Sequence, residues 1–243
     1  MSELYCFEPQ PQVSVPIIGS DQRFPVHRIF CVGRNYHAHA AEMGVTVDKS
    51  TAQPFYFNKH PSAIVETGST LAYPPETANY HYEMELVVAL GSGGFRLGAE
   101  QADELMLGYA AGLDMTRRDL QQRAKDSAHP WDLGKDFEQA AVIGPIRRKA
   151  ETGLIQTGTI SLSVNGDVRQ QSSLDLMIWT VAELIADLSR YYVLMPGDLI
   201  YTGTPEGVGP VTPGDQLSGS IEGVGEISCT IGDARVSAHK ERP

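Results

Sequence analysis

The chain has 243 residues, 42% hydrophobic and 20% charged, and a formal net charge of −11. That length supports one large domain or two modest ones, and the composition is that of an ordinary globular protein. The acidic balance argues against nucleic acid or an anionic membrane as partner, because phosphate binding wants a concentrated basic face. The few cations, among them Arg34, Lys59, Arg117, Arg118 and Lys135, stand out as candidate anion ligands. Cys6, Cys31 and Cys229 are scattered without metal-like spacing and read as reduced, intracellular thiols. No basic-then-apolar leader opens the chain and no stretch approaches a membrane span, so the expected compartment is the cytoplasm.

Residues 1–24 are rich in Pro, Gln and Ser and read as an extended arm; the folded body begins at RIFCVG and runs from 25 to 243 without repeat or linker. In CVGRNYHAHAAEMG, Asn35 is a candidate N-cap for a short alanine-rich helix closed by Gly44. On such a helix His39 and Glu42 are neighbours at i and i+3, whereas His37 points elsewhere. A carboxylate beside an imidazole fixes its tautomer and raises its basicity, which suits proton removal from water, although the same pair also reads as a surface ion pair. A helix this short is marginal alone and could order on ligand binding, as a lid.

HYEMELVVAL reads as a buried strand. Its period of two sends Glu83 and Glu85 to one side and Met84 and Leu86 to the other. Two like charges on a partly buried face need a proton or a cation, and oxygen-only ligands favour Mg²⁺ or Mn²⁺ over Zn²⁺. A bare Glu-x-Glu also fits an edge strand facing water. His81 shares that side and is expected as a neighbour of the carboxylates rather than a ligand. After a short helical pattern over 99–107 comes GYAAGLDMTRRDLQ, where Asp114 ends an apolar strand and either reaches the same cation or caps the helix expected over 116–124, with Thr116 as its other candidate cap. Arg118 and Gln122, at i and i+4, are expected to share a face that could hold a carboxylate. Lys135 follows in PWDLGKDFEQA.

Leu174, Met177, Ile178, Val181, Leu184, Ile185 and Leu188 recur at helical spacing and predict one long helix, capped by Ser172 or Ser173. After the strand DLIYTG, the loop TGTPEGVGP offers backbone N–H groups and the hydroxyls of Thr202 and Thr204 to a carboxylate, or is a plain turn. It is no phosphate loop, since neither the Walker pattern nor a GxGxxG opening a helix is present. Short apolar runs punctuated by 24 glycines and 15 prolines predict an α+β, mainly β class, with a folded-over or barrel-like sheet.

From about Ile29 onward the motifs CVGRNYHAHAAEM, FYFNKHPSAI, HYEMEL, GLDMTRRDLQ, LGKDFE, VNGDVRQ and LMPGDLIYTGTPEGVGP, in this order, resemble the fumarylacetoacetate hydrolase family. The resemblance implies a single catalytic domain with a mixed β-roll fold, a homodimer, and Mg²⁺ or Mn²⁺ held by Glu83, Glu85 and Asp114. It implies a water-activating dyad of His39 and Glu42 with Lys135 close by to stabilise an oxyanion, and a substrate pocket lined by Arg34, Lys59, Arg118, Gln122 and Thr204. The compact chain looks like the acylpyruvate hydrolase branch, and its opening like the bacterial fumarylpyruvate hydrolases of gentisate breakdown. The implied reaction is metal-dependent C–C hydrolysis of a diketo acid to pyruvate and a second acid. Oxaloacetate decarboxylation, isomerisation and decarboxylation in the homoprotocatechuate pathway, and a catalytically inactive metal-dependent binding protein are the alternatives.

Overall fold

The longest apolar run, Met84–Leu90, is buried at every position and forms the middle of the largest sheet. The computed structural model describes residues 4–234. In that sheet the strands lie in the order Tyr56–Lys59, Arg28–Val32, Asp198–Tyr201, Met84–Leu90, Met106–Asp114, Ala141–Ile143 and Ile64–Glu66, with Arg147–Arg148 also paired to Met106–Asp114. Pairing is mixed: Asp198–Tyr201 runs parallel to Arg28–Val32, and antiparallel to Met84–Leu90. A second sheet of five strands, Asp167–Ser173, Thr159–Val164, Gln216–Ile221, Gly225–Ala234 and Ser69–Tyr73, packs against the first. The approach is close at Gly219, where a Cβ would come within 2.8 Å of the Met84 sulfur. Burial of Met84–Leu90 on both faces follows from this layering, and the architecture is the expected α+β, mainly β one with a few short helices.

A third sheet of three short strands, Thr116–Arg117, Tyr80–Tyr82 and Gly209–Val211, matters most for the site. Glu83 occupies the single residue at which the chain leaves Tyr80–Tyr82 and enters Met84–Leu90. Its carbonyl accepts from Asp114 N–H at 2.9 Å, so the end of one strand is pinned beside the start of the other. The expected extended arm over 1–24 is not separate from the body: Ser14–Pro16 pairs antiparallel with Arg23–Pro25, and Val15, Ile17 and Phe24 are buried in the common core, because their apolar side chains pack there.

Three local expectations are corrected by tertiary contacts. The long helix does not start near residue 174. Leu174–Leu176 is one 3-10 turn, and the helix proper is Val181–Tyr191, opened by a capping box between Thr180 and Glu183. Asn35 is the reason: its carbonyl accepts from Ile178 N–H at 2.8 Å, while its side-chain amide accepts from Trp179 N–H at 2.7 Å and donates to the Trp179 and Thr202 carbonyls at 2.9 and 2.8 Å. These bonds hold residues 177–180 out of the helix. Asn35 is therefore a clamp between loops and not an N-cap; the helix His37–Glu42 starts from Tyr36 without a side-chain cap. Thr116 likewise sits in a short strand, and the following helix is Arg118–Asp126.

Candidate metal centre and acid–base pair

Glu83, Glu85 and Asp114 converge, with one carboxylate oxygen from each lying within 4.8 Å of the others, and all three are buried. Two strand ends and the register between them bring this about: Glu85 pairs with Gly112, and the next outward position on that partner strand is Asp114. Lys135, the last residue of a helical turn over Asp132–Lys135, donates to Glu83 Oε2 (2.7 Å), Asp114 Oδ2 (2.6 Å) and Thr116 Oγ (2.7 Å). An ammonium has three donors, so none remains for a tetrahedral oxyanion. Expected as an oxyanion donor, Lys135 instead ties the carboxylates together and brings a charge. Arg118 bonds Glu83 Oε1 through Nη2 and Gln121 through Nη1 at 2.6 Å.

The three carboxylates do not behave alike. Burial pushes Glu83 up, but Lys135 and Arg118 outweigh it and hold its carboxyl well below the ordinary range. Glu85 goes the other way: burial, then Asp114 and Glu83, raise it well above that range, and its one hydrogen bond is from Gly203 N–H at 2.9 Å. Asp114 Oδ1 lies 2.8 Å from Lys59 Nζ, within ion-pair reach but outside hydrogen-bond geometry, and is left buried without a donor. A cluster with one carboxylate starved of positive charge and one orphaned oxygen is short of a cation, and its all-oxygen donor set fits a hard divalent ion. His81 is no part of that set. Its Nε2 is 2.7 Å from Asn79 Oδ1, its Nδ1 accepts from Arg118, and burial, aided by Arg118, lowers it to about 4.

His39 and Glu42 meet as their spacing requires, with Nδ1 3.0 Å from Oε2. The imidazole is buried, and near enough to Glu83 to help hold it ionised. The loop after Asp198–Tyr201 joins this pair to the cluster: Gly203 N–H bonds Glu85 and Gly207 N–H bonds Glu42 Oε1 at 3.1 Å. Both glycines have positive φ, +96° and +90°. A Cβ at Gly207 would fall 2.1 Å from the Arg169 carbonyl oxygen, so the chain can pass there only without a side chain.

Residues 28–232 match the family described as fumarylacetoacetate (FAA) hydrolase C-terminal. The chain belongs to that family. It is 58% identical over 192 residues to a fumarylpyruvate hydrolase of Ralstonia sp, a span covering 79% of this chain and 100% of the relative. The crystal structure of fumarylpyruvate hydrolase from Pseudomonas aeruginosa in complex with Mn²⁺ and pyruvate superimposes with a TM-score of 0.91 at 49% identity, covering 94% of this chain and 99% of that one. An oxaloacetate tautomerase of Escherichia coli (strain K12) is 37% identical over 201 residues, 82% of this chain and 90% of the relative.

In this fumarylacetoacetate hydrolase-family chain the other expected pocket residues are distributed unevenly. Lys59 is buried, donates to the carbonyls of Met115 (3.1 Å) and Lys135, and packs over Phe137. It buttresses the cluster from behind. Thr204 is buried with its hydroxyl accepting from Gln170 Nε2 at 2.9 Å. Arg34 is half-buried and stacks over Phe55. Gln122 is exposed and bonds Asp126, because the helix Arg118–Asp126 turns its 118/121 edge inward, where Gly134 lies against the Gln121 backbone. Gln121 is thus the residue beside Arg118, a step from i+4 to i+3. Two further participants were missed, Thr116 and Gln170. The latter accepts from Met84 N–H at 3.0 Å and donates to the Thr204 hydroxyl and the Pro205 carbonyl, so it couples the Glu83–Glu85 segment to the glycine loop. Its place at the end of VNGDVRQ was the available signal.

Proposed function

We propose that this family member is a metal-dependent C–C hydrolase of acylpyruvates, with fumarylpyruvate the foremost substrate, releasing pyruvate and a carboxylic acid. The observation that carries the reading is the meeting of three buried carboxylates with a His–Glu pair, joined through one loop. The 58% identity to a fumarylpyruvate hydrolase over that relative's whole length supports the choice of substrate.

Glu83, Glu85 and Asp114 would hold Mg²⁺ or Mn²⁺. When bound, the ion supplies Lewis acidity, polarising the 2-oxo acid end of the substrate and accommodating the negative charge that C–C cleavage leaves on the pyruvate fragment. Glu42 accepts a hydrogen bond from His39 Nδ1–H and so leaves Nε2 with the lone pair that takes a proton from water. The hydroxide so formed attacks the distal carbonyl, collapse of the adduct breaks the C–C bond, and the pyruvate enolate that leaves takes up the proton held on His39 Nε2. Lys135 acts by its charge, compensating the carboxylates as negative charge develops nearby. Arg34, Arg118 and the Thr204 loop orient substrate carboxylates, and the wall of buried side chains behind Lys59 keeps bulk water from the cluster. A single catalytic domain that takes in the core-packed strands Ser14–Pro16 and Arg23–Pro25, a homodimer and a place in gentisate breakdown, all carried by the resemblance, and the cytoplasm complete the proposal. No helix among the described residues is long and apolar enough to cross a membrane.

The second reading, favoured by 37% identity to an oxaloacetate tautomerase, uses the same proton-transfer pair on oxaloacetate. The test is a panel of fumarylpyruvate, acetylpyruvate and oxaloacetate with Mg²⁺, Mn²⁺ or chelator, followed by pyruvate release and ultraviolet absorbance. Metal-dependent pyruvate release from the acylpyruvates is expected. Intact acylpyruvates beside accelerated keto–enol interconversion of oxaloacetate would replace the hydrolase reading with the second.

A further inference from the structure

Lys125 lies on the helix Arg118–Asp126 seven residues beyond Arg118, which returns it to the same edge of the helix about 10 Å further along the axis. It is half-buried, and its Nζ stands 4.9 Å from the centroid of the Trp131 ring. Trp131 meets Phe55 edge to face at 5.4 Å, and the Arg34 guanidinium stacks over Phe55 at 5.1 Å. Phe57 closes the group, packed against Trp131 and under Lys135 Nζ. The result is an aromatic shelf carrying two cations at the approach to the carboxylate cluster. Neither cation makes an ion pair or hydrogen bond to a carboxylate among the described residues, in a chain with 30 acidic side chains against 19 basic ones. Burial, with Arg118 and Arg34 close by, lowers Lys125 to about 8, so these like charges do crowd one another. Crowding cations without a counter-charge is costly unless an anion joins them in the working state.

We infer that Lys125 and Arg34 together bind a second carboxylate at the acyl end of the substrate, and that Lys125 sets the preference for dicarboxylic over monocarboxylic acylpyruvates. The inference rests on the hydrolase reading above. A diketo acid seated with its 2-oxo acid end at the Glu83 cluster and lying along the Arg118–Lys125 edge would bring an acid at its far end to this shelf. The span of that edge is about the end-to-end length of an extended dicarboxylic diketo acid. Arg34 supplies a planar fork, and Lys125 a point charge free to follow the carboxylate. The aromatic faces below hold both cations in place while remaining indifferent to an anion.

The test compares Lys125→Gln and Lys125→Arg with the unaltered protein, in Mn²⁺, on fumarylpyruvate and acetylpyruvate. For Lys125→Gln, kcat/KM on fumarylpyruvate falls about 10- to 100-fold, mainly through KM, as expected for loss of a charged hydrogen bond, while the value on acetylpyruvate stays within about twofold. Lys125→Arg recovers most of the loss. Inhibition of the unaltered protein gives a measurement independent of any variant's folding: fumarate binds more tightly than crotonate, its monocarboxylic counterpart. Turnover of fumarylpyruvate with equal losses on both substrates, with no loss on either, or with fumarate and crotonate inhibiting alike would overturn the assignment of Lys125 while leaving the hydrolase reading in place. No pyruvate from either substrate would overturn both.

Discussion

The carboxylate cluster and the His39–Glu42 pair stand on different foundations. Glu85 and Asp114 belong to long strands of the central sheet, Glu83 is pinned to Asp114 through the backbone, and Lys59, Arg118 and Lys135 are each hydrogen-bonded into the core. The His39–Glu42 pair sits on a helix of six residues without a side-chain cap, and the glycine loop reaches it through one bond from Gly207. Binding groups are thus set by sheet register, where moving one residue means moving a strand. His39 and Glu42 are set instead by a helix of under two turns, held to the body by the buried His39 and Ala40 and by the bond from Gly207 to Glu42.

The comparison breaks most visibly at the cluster. Glu85→Ala removes a carboxylate that no neighbour can replace; losing several kcal/mol of charge stabilisation lowers kcat/KM by about a thousandfold or more and erases any rise in melting temperature on adding Mn²⁺. In the unaltered protein that rise, at a hundredfold excess of Mn²⁺ over its Kd, corresponds to about 2.7 kcal/mol and to several degrees. His39→Ala separates the two regions: activity falls by roughly 10²–10⁴ through loss of the general base, and the Mn²⁺-dependent thermal shift is kept. A variant that loses both would mean that the pair is part of the metal site.

Smaller effects sharpen the picture at the rim and the loop. Lys125 loses its proton as pH rises through about 8, so KM for fumarylpyruvate should climb above that pH, by up to about tenfold per pH unit, while KM for acetylpyruvate stays flat. Parallel curves for the two substrates would assign the titration elsewhere. Gly207→Ala forces a Cβ against the Arg169 carbonyl at positive φ, which costs about 1–3 kcal/mol and lowers the melting temperature by a few degrees. Because the altered bond serves Glu42, the Mn²⁺ shift should survive this change too, and calorimetry with and without metal checks it.

Periodicity exposed the features that depend on neighbours along the chain. Glu83 and Glu85 flank the single apolar Met84, and His39 and Glu42 are one turn apart, so both pairs are legible in the sequence. Where a residue's partner lay far along the chain, the reading failed. Asn35 looks like a helix cap because Asn caps helices, yet its bonds go to residues 178, 179 and 202, and they cut short the helix that the leucine spacing predicts. Gln122 fits i+4 pairing as well as Gln121 fits i+3; only the packing of Gly134 against one edge of the helix decides between them.

Sequence alone determined the chemistry available to this protein: its mainly β class, two carboxylates forced to one side of a strand, an imidazole with a carboxylate one turn away, and the family to which these motifs belong. Tertiary structure decided which oxygens go unsatisfied, that Lys135 spends all its donors on the cluster, and that Lys125 reaches a shelf built from residues 55, 57 and 131. The division follows from range. A local pattern sets the direction of a side chain through backbone geometry, but charge balance and hydrogen-bond supply are set by whatever distant segments the fold brings within a few ångströms.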